Sequence, residues 1–354
     1  MTDDISRRRF VKLGLLFSAG ITLFGCNFLV EPRKDEPDKE KRAEEETPSE
    51  EEKEKDKDAE KEKDKEDEEE KEEEEHKIPR RQLGKTDMAV SIFSLGGSFI
   101  ISREHEQEKA AELINYAIDE GVNYIDTAPT YGNSEQNIGR AIKNKRDKVY
   151  LASKTEQRGY DGVMREFEES LQRLQTDYID LYQLHGIHSH SDIEQISVSG
   201  GALKALDELK KAGNIKYTGI TGHKNHNVFL DALEVYDFDC ALIPVNPGEV
   251  HEDSFTKNVI PVLEEKEMGI IAMKVAAYGH LFHGDEIESM DEPLNYVLTQ
   301  PVDTAIIGIS TRGELEENIR IAREFSPLSS EQLAELEDRV APYQWVANFF
   351  KHQW

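Results

Sequence analysis

The chain of 354 residues is poor in cysteine and tryptophan, with only two residues of each. Cys26 follows an apolar stretch near the amino terminus, and Cys240 lies far from it, in a predicted strand from Phe238 to Val245. A disulfide within one folded domain is therefore excluded. The apolar surroundings of Cys240 predict a buried thiol without a chemical role rather than a nucleophile.

The chain also lacks an excess of basic residues, since its formal net charge is −29 at pH 7. Residues 31–76 contain 26 acidic and 12 basic side chains, and the chain that follows is acidic as well. A negative surface repels phosphate, which argues against nucleic acid as a partner. Residues 31–77 contain almost no apolar side chains, and we predict that they form a charged low-complexity linker without a core.

A long apolar run lies near the amino terminus, directly after a basic cluster. The run from Leu13 to Gly25 follows the pair Arg7 and Arg8, and the whole stretch resembles a twin-arginine export signal. The alternative is an uncleaved membrane anchor, because the 18 residues from Leu13 to Val30 carry no charge. Residues 1–30 are therefore predicted to be a signal or an anchor. The resemblance implies the twin-arginine export machinery as a partner.

The end of this run carries a second targeting pattern. Leu23-Phe24-Gly25-Cys26 resembles a lipoprotein box, which implies that Cys26 is lipidated after cleavage. We expect an exported protein that is tethered to the outer face of the cytoplasmic membrane, through lipidated Cys26 or through an amino-terminal anchor. The charged linker would then hold the folded domain away from that membrane.

From residue 78 onward, short apolar strand patterns alternate with amphipathic helix patterns. Counting Ile92–Leu95 as the first, eight predicted strands are each followed by a helix. Residues 78–354 are long enough for one (β/α)8 TIM barrel, an α/β fold. The alternative, a doubly wound sheet, usually has a G-x-G-x-x-G turn after its first strand. Gly96-Gly97-Ser98 does not match that pattern, so we predict the barrel.

Four polar side chains stand at or just past the ends of three successive predicted strands. Asp126 ends one strand and Tyr131 follows it by five residues, while Lys154 and His185 end the next two strands. The carboxyl ends of barrel strands meet at one face, where active sites lie. The sequence therefore predicts that these four side chains form one site.

These four residues, in this order, resemble the catalytic tetrad of the aldo-keto reductases. The stretch from Gln82 to Gly97 is similar to the amino-terminal hairpin and first strand of that family, and Ala305–Gly308 with Glu317-Asn318 resembles its last cofactor segment. The resemblance implies NAD(P)H-dependent reduction of an aldehyde or ketone. Tyr131 would be the proton donor in that reaction.

The other three tetrad residues would support that tyrosine. We expect the charge of Lys154 to lower the pKa of Tyr131, Asp126 to keep Lys154 charged and in place, and His185 to orient the substrate oxygen. The resemblance also implies a nicotinamide dinucleotide as cofactor, because no side chain can donate hydride. The residues implied in holding it are Gly97, Asp126, Thr221, Gly222, Asn246, Lys274, Ser310, Arg312, Glu317 and Asn318.

The choice between the two nicotinamide cofactors depends on the segment after the eighth strand. The cationic positions that are frequent in the family fall on Gly308 and Glu314, and a carboxylate repels phosphate. Arg312 lies two residues from Glu314, and its planar fork of donors suits a phosphate. We therefore predict NADP(H) narrowly over NAD(H), with Arg312 as the discriminating residue.

The sequence offers two alternatives to carbonyl reduction. His185, His188 and His190 could indicate a metal site, but Cys or carboxylate partners at ligand spacing are missing, so no metal is predicted. The second alternative is a tethered module that holds the cofactor, senses redox state or acts as a scaffold, with little turnover. The export signal favours that alternative, because free cofactor is expected to be scarce outside the cytoplasm, whereas the complete tetrad favours the enzyme.

Overall fold

A computed structural model describes residues 77–284 and 286–352 of the protein. The predictions for the export signal, Cys26 and most of the charged linker concern residues outside this described part.

Ten strands and thirteen α-helices organise the described residues. The strands are β1 (Arg80–Gln82), β2 (Ala89–Ser91), β3 (Phe93–Phe99), β4 (Tyr124–Asp126), β5 (Tyr150–Thr155), β6 (Ile179–Leu184), β7 (Ile215–Thr221), β8 (Cys240–Pro244), β9 (Gly269–Met273) and β10 (Thr304–Ile309). The helices are α1 (Gln107–Asp119), α2 (Ser134–Ala141), α3 (Tyr160–Leu174), α4 (His190–Ser197), α5 (Ala202–Ala212), α6 (His226–Leu233), α7 (Phe255–Asn258), α8 (Ile260–Glu265), α9 (Asp291–Thr299), α10 (Arg312–Arg323), α11 (Ser330–Val340), α12 (Gln344–Ala347) and α13 (Phe349–His352).

Strands β3 to β10 form a closed barrel in chain order, and β10 pairs with β3 to complete it. All eight ladders of the barrel are parallel. Parallel strands need a crossover connection, and the helices of the alternating pattern supply it. The predicted (β/α)8 barrel is therefore confirmed, and the doubly wound alternative is excluded.

The outer helices bury one apolar stripe each against the strands. In α1, five buried side chains repeat at the spacing of one helix face, namely Ala110, Leu113, Ile114, Ala117 and Ile118. The helix α11 begins with a capping box, in which Ser329 and Gln332 each bond the other's backbone nitrogen.

The barrel interior is filled with side chains and is closed at its amino-terminal end by the hairpin β1–β2. Leu83, Met88 and Val90 of that hairpin are fully buried and pack against interior side chains such as Leu181 and Cys240. The Asp303 carboxylate ties the hairpin to the barrel, since it accepts from the Gly84 nitrogen at 3.0 Å and the Ile270 nitrogen at 2.8 Å. The thiol of Cys240 is free and buried, as predicted, and burial raises its pKa.

The carboxyl-terminal segment packs at the opposite end of the barrel. Lys351 is buried there and donates to the Glu249 carboxylate at 2.9 Å. Breaking such a buried pair leaves an uncompensated charge, so this contact fixes the segment in place. The neighbouring Phe350 is fully buried, and its carbonyl lies 3.2 Å from Nδ1 of His223 near the ends of the strands.

Within the described residues, no helix is both long enough and apolar enough to cross a membrane.

Candidate active site

Asp126 and Lys154 form a buried ion pair at the carboxyl ends of β4 and β5. The Lys154 ammonium donates to the Asp126 carboxylate and, at 2.8 Å, to the carbonyl of Thr127. Both side chains are 1% exposed, so water does not screen the pair. These contacts fix the lysine in position beside the carboxylate.

The second oxygen of Asp126 has its own donor, which sequence reasoning missed. Gln183 of β6 is fully buried, and its amide nitrogen donates to Asp126 Oδ2 at 2.9 Å. Gln183 lies beside Lys154 in the β5–β6 register. The sequence does contain a signal for Gln183. Side chains alternate along a strand, so a residue two positions after the inward-facing Leu181 also faces the barrel interior.

Tyr131 stands in the loop between β4 and α2, where a tight turn sets its position. Its backbone nitrogen donates to the Ala128 carbonyl at 3.1 Å, and Gly132 follows with a φ of 53°. A side chain at Gly132 would strain that left-handed backbone and meet the Ser102 carbonyl at 2.7 Å. Lys154 Nζ lies 4.9 Å from the centroid of the Tyr131 ring. The predicted neighbours are therefore brought together.

The pKa of Tyr131 is shifted in the direction opposite to the expected one. Burial is the largest cause and raises this pKa, and the negative charges of Asp126 and Glu156 raise it further. The positive charge of Lys154 does not reverse this shift, because Asp126 offsets it at close range. Tyr131 is thus a neutral phenol that holds its proton until negative charge develops beside it.

His185 follows β6, and its ring meets the Tyr131 ring edge to face at 5.9 Å between centroids. Its Nδ1 atom lies 3.3 Å from the carboxylate of Glu156, a residue that sequence reasoning missed. Arg158 fixes the backbone here by donating to the carbonyls of His185 and Gly186 at 2.9 and 3.0 Å. Burial lowers the pKa of His185, and Glu156 partly opposes that effect.

A cavity of about 410 Å³ opens beside Tyr131 and extends toward the start of α10. Six of the residues predicted to hold the cofactor line it: Gly97, Asp126, Lys274, Ser310, Glu317 and Asn318. Ring and thioether side chains supply much of the remaining wall, namely Phe99, Met273, Tyr278, Phe282 and Met290. The mixture of apolar walls and a few polar groups is typical of a cofactor site.

The other four predicted cofactor residues do not line this cavity. Thr221 accepts from the Gly186 nitrogen at 2.9 Å, and Gly222 packs against Phe229 so closely that an added Cβ would lie 2.5 Å from the ring. Asn246 donates to the Lys274 carbonyl at 3.1 Å and accepts from two backbone nitrogens. These three residues support loops in this structure.

The fourth, Arg312, lies at the first turn of α10 and is half exposed. Its guanidinium pairs with Glu316 at 2.8 Å and stacks 4.0 Å above the Tyr116 ring. The carboxylate of Glu314, by contrast, lines the cavity and accepts from the Ser310 nitrogen at 2.6 Å.

Lys274, at the end of β9, is the only basic residue among the described residues that line the cavity. Its φ is 63°, an unusual value for a residue with a side chain. Burial and the charge of Lys154 lower its pKa to about 7. The ammonium lies 4.2 Å from the ring centroid of Tyr278, an aromatic residue that the sequence analysis did not place at the site.

The histidines near the site form ring contacts. His188 and His223 meet edge to face at 4.6 Å between centroids, and burial lowers their pKa values to about 4 and about 3. His190 is exposed and pairs with Asp231 at 2.9 Å. Among residues 77–284 and 286–352, no group of three or more His, Cys, Asp or Glu side chains is arranged to hold a metal ion.

The profile of the Aldo/keto reductase family matches residues 93–293, from the first barrel strand to the start of α9. The chain belongs to the aldo/keto reductase family. It is accordingly an NAD(P)-dependent oxidoreductase, and the family implies reduction of a small carbonyl compound.

Sequence similarity to named relatives extends over most of the barrel. The chain is 28% identical to the uncharacterized oxidoreductase YqkF of Bacillus subtilis, over 69% of this chain and 90% of the relative. It is 27% identical to the L-galactose dehydrogenase of Arabidopsis thaliana, over 75% of this chain and 95% of the relative.

Solved structures of the family superpose on the same region. An aldo-keto reductase of Bacillus halodurans in its holo form gives a TM-score of 0.63 at 26% identity, and the match covers 74% of this chain and 96% of that one. An aldo/keto reductase of Klebsiella pneumoniae in complex with NADP and acetate gives a TM-score of 0.61 at 26% identity, covering 75% and 96%.

Proposed function

We propose that this protein reduces a small aldehyde or ketone with NADPH while tethered outside the cytoplasm, and that Tyr131 is its proton donor. The observation that carries the catalytic part is the contact between Lys154, the buried Asp126 carboxylate and the Tyr131 ring at the edge of the cavity. A carbonyl group in the cavity beside Tyr131 would meet both a proton donor and a fixed positive charge.

The described residues fit a nicotinamide dinucleotide. Asn318 is buried at the cavity wall, and its Oδ1 atom has no hydrogen-bond partner among the described residues. A buried acceptor without a donor is costly, so a ligand amine or hydroxyl would stabilise it. Gly97 and Gly308 also line the cavity, and neither position has room for a side chain, because an added Cβ would collide with neighbouring protein atoms. A bound dinucleotide supplies the hydride, which no side chain can donate.

The side chains would then handle the proton and the charge. Tyr131 donates its phenolic proton to the substrate oxygen as negative charge develops there. Lys154 stabilises the phenolate that remains, because Asp126 fixes its ammonium near the ring. His185, whose ring meets that of Tyr131, orients the substrate oxygen. The raised pKa of Tyr131 suits this role, since the acid must still carry its proton at neutral pH.

NADP(H) is the proposed cofactor in preference to NAD(H). Arg312 is the basic side chain that would meet a 2′-phosphate, although it pairs with Glu316 in this structure. The Klebsiella pneumoniae relative was solved with NADP, which supports the proposal by similarity. Glu314 opposes a preference for NADP(H), because its carboxylate lines the proposed cofactor cavity and would repel a phosphate.

The proposed location rests on the amino-terminal patterns alone. The paired Arg7 and Arg8, the apolar run and the box ending at Cys26 support export by the twin-arginine route and lipid attachment. A folded barrel that already holds its cofactor suits a route that carries folded proteins. The charged segment of residues 31–77 would be the tether.

A steady-state assay tests the catalytic part of the proposal. Full-length protein is incubated with excess NADPH and a panel of aldehydes and ketones, and cofactor oxidation is followed at 340 nm. Many turnovers per protein molecule support the enzyme. Stoichiometric cofactor binding without turnover on the whole panel would instead support the alternative of a module that only holds the cofactor, as a redox sensor or scaffold.

A further inference from the structure

Lys274 places an amine in the same cavity as the proposed proton donor. It directly follows β9, and it lines the cavity together with Asp126 and Tyr131. Its backbone has a left-handed φ of 63°, and Ala277 and Tyr278 in the same loop have φ values of 48° and 58°. Residues with a side chain rarely adopt this conformation, and such strain is concentrated at functional sites. The loop therefore presents Lys274 to the cavity at a cost in backbone energy.

Aromatic rings and a second cation lie close to this amine. Nζ of Lys274 lies 4.2 Å from the ring centroid of Tyr278 and 5.9 Å from that of Phe350. Burial and, after it, the positive charge of Lys154 lower the pKa of Lys274 to about 7. An apolar pocket and a neighbouring cation are the two conditions that make a lysine nucleophilic at neutral pH.

The reactivity of a lysine toward aldehydes depends on its unprotonated nitrogen. An ordinary exposed lysine has a pKa of roughly 10.4, so at neutral pH almost all of it is ammonium, which has no lone pair to share. With a pKa of about 7, about half of the Lys274 side chain is neutral amine at that pH. Burial beside aromatic rings and Lys154 thus gives the cavity a second reactive group besides Tyr131.

We propose that Lys274 captures small aldehydes in this cavity as imines, a reaction that uses neither hydride nor dinucleotide. The inference goes beyond the proposed reduction and shares with it only the access of a small carbonyl compound to the cavity. The chemical class of the ligand is therefore an unhindered aldehyde, whose carbonyl carbon is open to attack by an amine.

The reaction is a condensation that balances without an oxidant or a reductant. The nitrogen lone pair forms a bond to the carbonyl carbon, and the electron pair of the carbon–oxygen π bond moves to oxygen. The nitrogen gives up its two protons, and the oxygen takes up two and leaves as water. The carbon–nitrogen double bond then replaces the carbon–oxygen double bond, and addition of water reverses the sequence.

Reductive trapping tests the proposal on the full-length protein without any dinucleotide. Butanal is added with sodium cyanoborohydride, which reduces an imine to a stable secondary amine, and peptide mass spectrometry locates the butyl groups. At neutral pH we expect Lys274 to be labelled at least about tenfold faster than the exposed Lys109 of α1, because much more of its amine is neutral. Labelling of Lys274 no faster than Lys109, or fast labelling of Lys154 instead, would overturn the proposal.

The pH dependence of trapping provides a second readout. Neutral amine is scarce below the pKa and dominates above it, so labelling of Lys274 should rise through about pH 7 and then level off. An ordinary exposed lysine still gains neutral amine at about pH 9, so the ratio of labelling at Lys274 to that at Lys109 should fall between these values. A constant ratio would contradict the proposal.

The titratable groups near Lys274 include Lys154, His223 and Tyr278. Burial is the largest cause that lowers the pKa of His223 to about 3 and raises that of Tyr278 to about 12. Neither of these two groups therefore titrates between about pH 7 and about pH 9, and the profile reports on Lys274 itself.

A pair of variants separates the amine from its positive charge. Lys274→Arg keeps the charge but has no amine that forms an imine, so the intact protein should lose the fast addition of one butyl group. Lys109→Arg is the matched control and should keep it. Fast addition that persists in Lys274→Arg would refute the assignment. If Lys274 is trapped but NADPH reduces no carbonyl compound, the proposed function has failed and this inference stands, whereas reduction without trapping would show the reverse.

Discussion

The side-chain amide of Gln183 donates to the same Asp126 carboxylate that binds the Lys154 ammonium, at 2.9 Å and with full burial. Asp126 therefore has one oxygen for the lysine and one for the glutamine. Such a carboxylate cannot rotate without losing one partner. The direction in which Lys154 faces Tyr131 is thus set by a residue on the neighbouring strand.

Replacing Gln183 by methionine should weaken both stability and catalysis. It keeps most of the volume but leaves Asp126 Oδ2 buried without a donor, which costs roughly 1–3 kcal/mol. We expect a lower midpoint of thermal unfolding and a reduced kcat, with little change in the Kd for NADPH. Gln195→Met, at an exposed glutamine of α4, is the control. An unchanged kcat in the Gln183 variant would show that Asp126 needs no second donor.

Replacing Tyr131 by phenylalanine should remove reduction and leave cofactor binding intact. The change deletes the proton donor and little volume, and general acid catalysis is typically worth about a hundredfold or more. Turnover by NADPH oxidation and cofactor affinity by fluorescence titration are the two measurements. Turnover above roughly a tenth of wild type would mean that another group supplies the proton.

Replacing Arg312 by alanine tests the cofactor preference. If Arg312 exchanges Glu316 for the 2′-phosphate, the variant should bind NADPH more weakly by roughly 1.5–3 kcal/mol and bind NADH as before. Arg320→Ala is a matched control, because Arg320 lies on the same helix and pairs with Asp291 and Glu324. Equal losses for both cofactors, or a wild type that already prefers NADH, would indicate that Glu314 decides.

Replacing Arg7 and Arg8 by lysine should leave the protein in the cytoplasm, because the twin-arginine route reads the arginine pair. Cell fractionation measures the outcome, and Arg33→Lys in the linker serves as the control. Unchanged localisation of the double variant would point to a simple membrane anchor.

Replacing Cys26 by serine tests the lipid attachment. Cys26→Ser should abolish incorporation of labelled fatty acid, and continued labelling would place the lipid elsewhere.

The fold could be predicted because its evidence is local in the sequence. Alternating strand and helix patterns fix a parallel closed sheet, and polar residues at strand ends fix the face on which the site lies. Asp126, Tyr131, Lys154 and His185 could be found in this way, because they lie at or shortly after the ends of three successive strands.

The supporting contacts could not be predicted, because they depend on the register between strands and on loop geometry. Gln183 meets Asp126 across β5, a relation that no spacing along the chain reveals. The expected lowering of the Tyr131 pKa was wrong, since burial outweighs a lysine whose charge is already paired. Thr221 and Asn246 stand where the family pattern places cofactor contacts, but the Thr221 hydroxyl binds the Gly186 nitrogen after β6, and the Asn246 oxygen binds the backbone of its own loop.

The hairpin that closes the amino-terminal end of the barrel has a kinetic consequence. Leu83 and Met88 block that end, so a ligand reaches Tyr131 through the mouth at the carboxyl ends of the strands. A dinucleotide and a carbonyl compound that share one entrance cannot pass each other freely. The ligand that lies deeper must enter first and leave last, and we therefore expect an ordered rather than a random sequence of association.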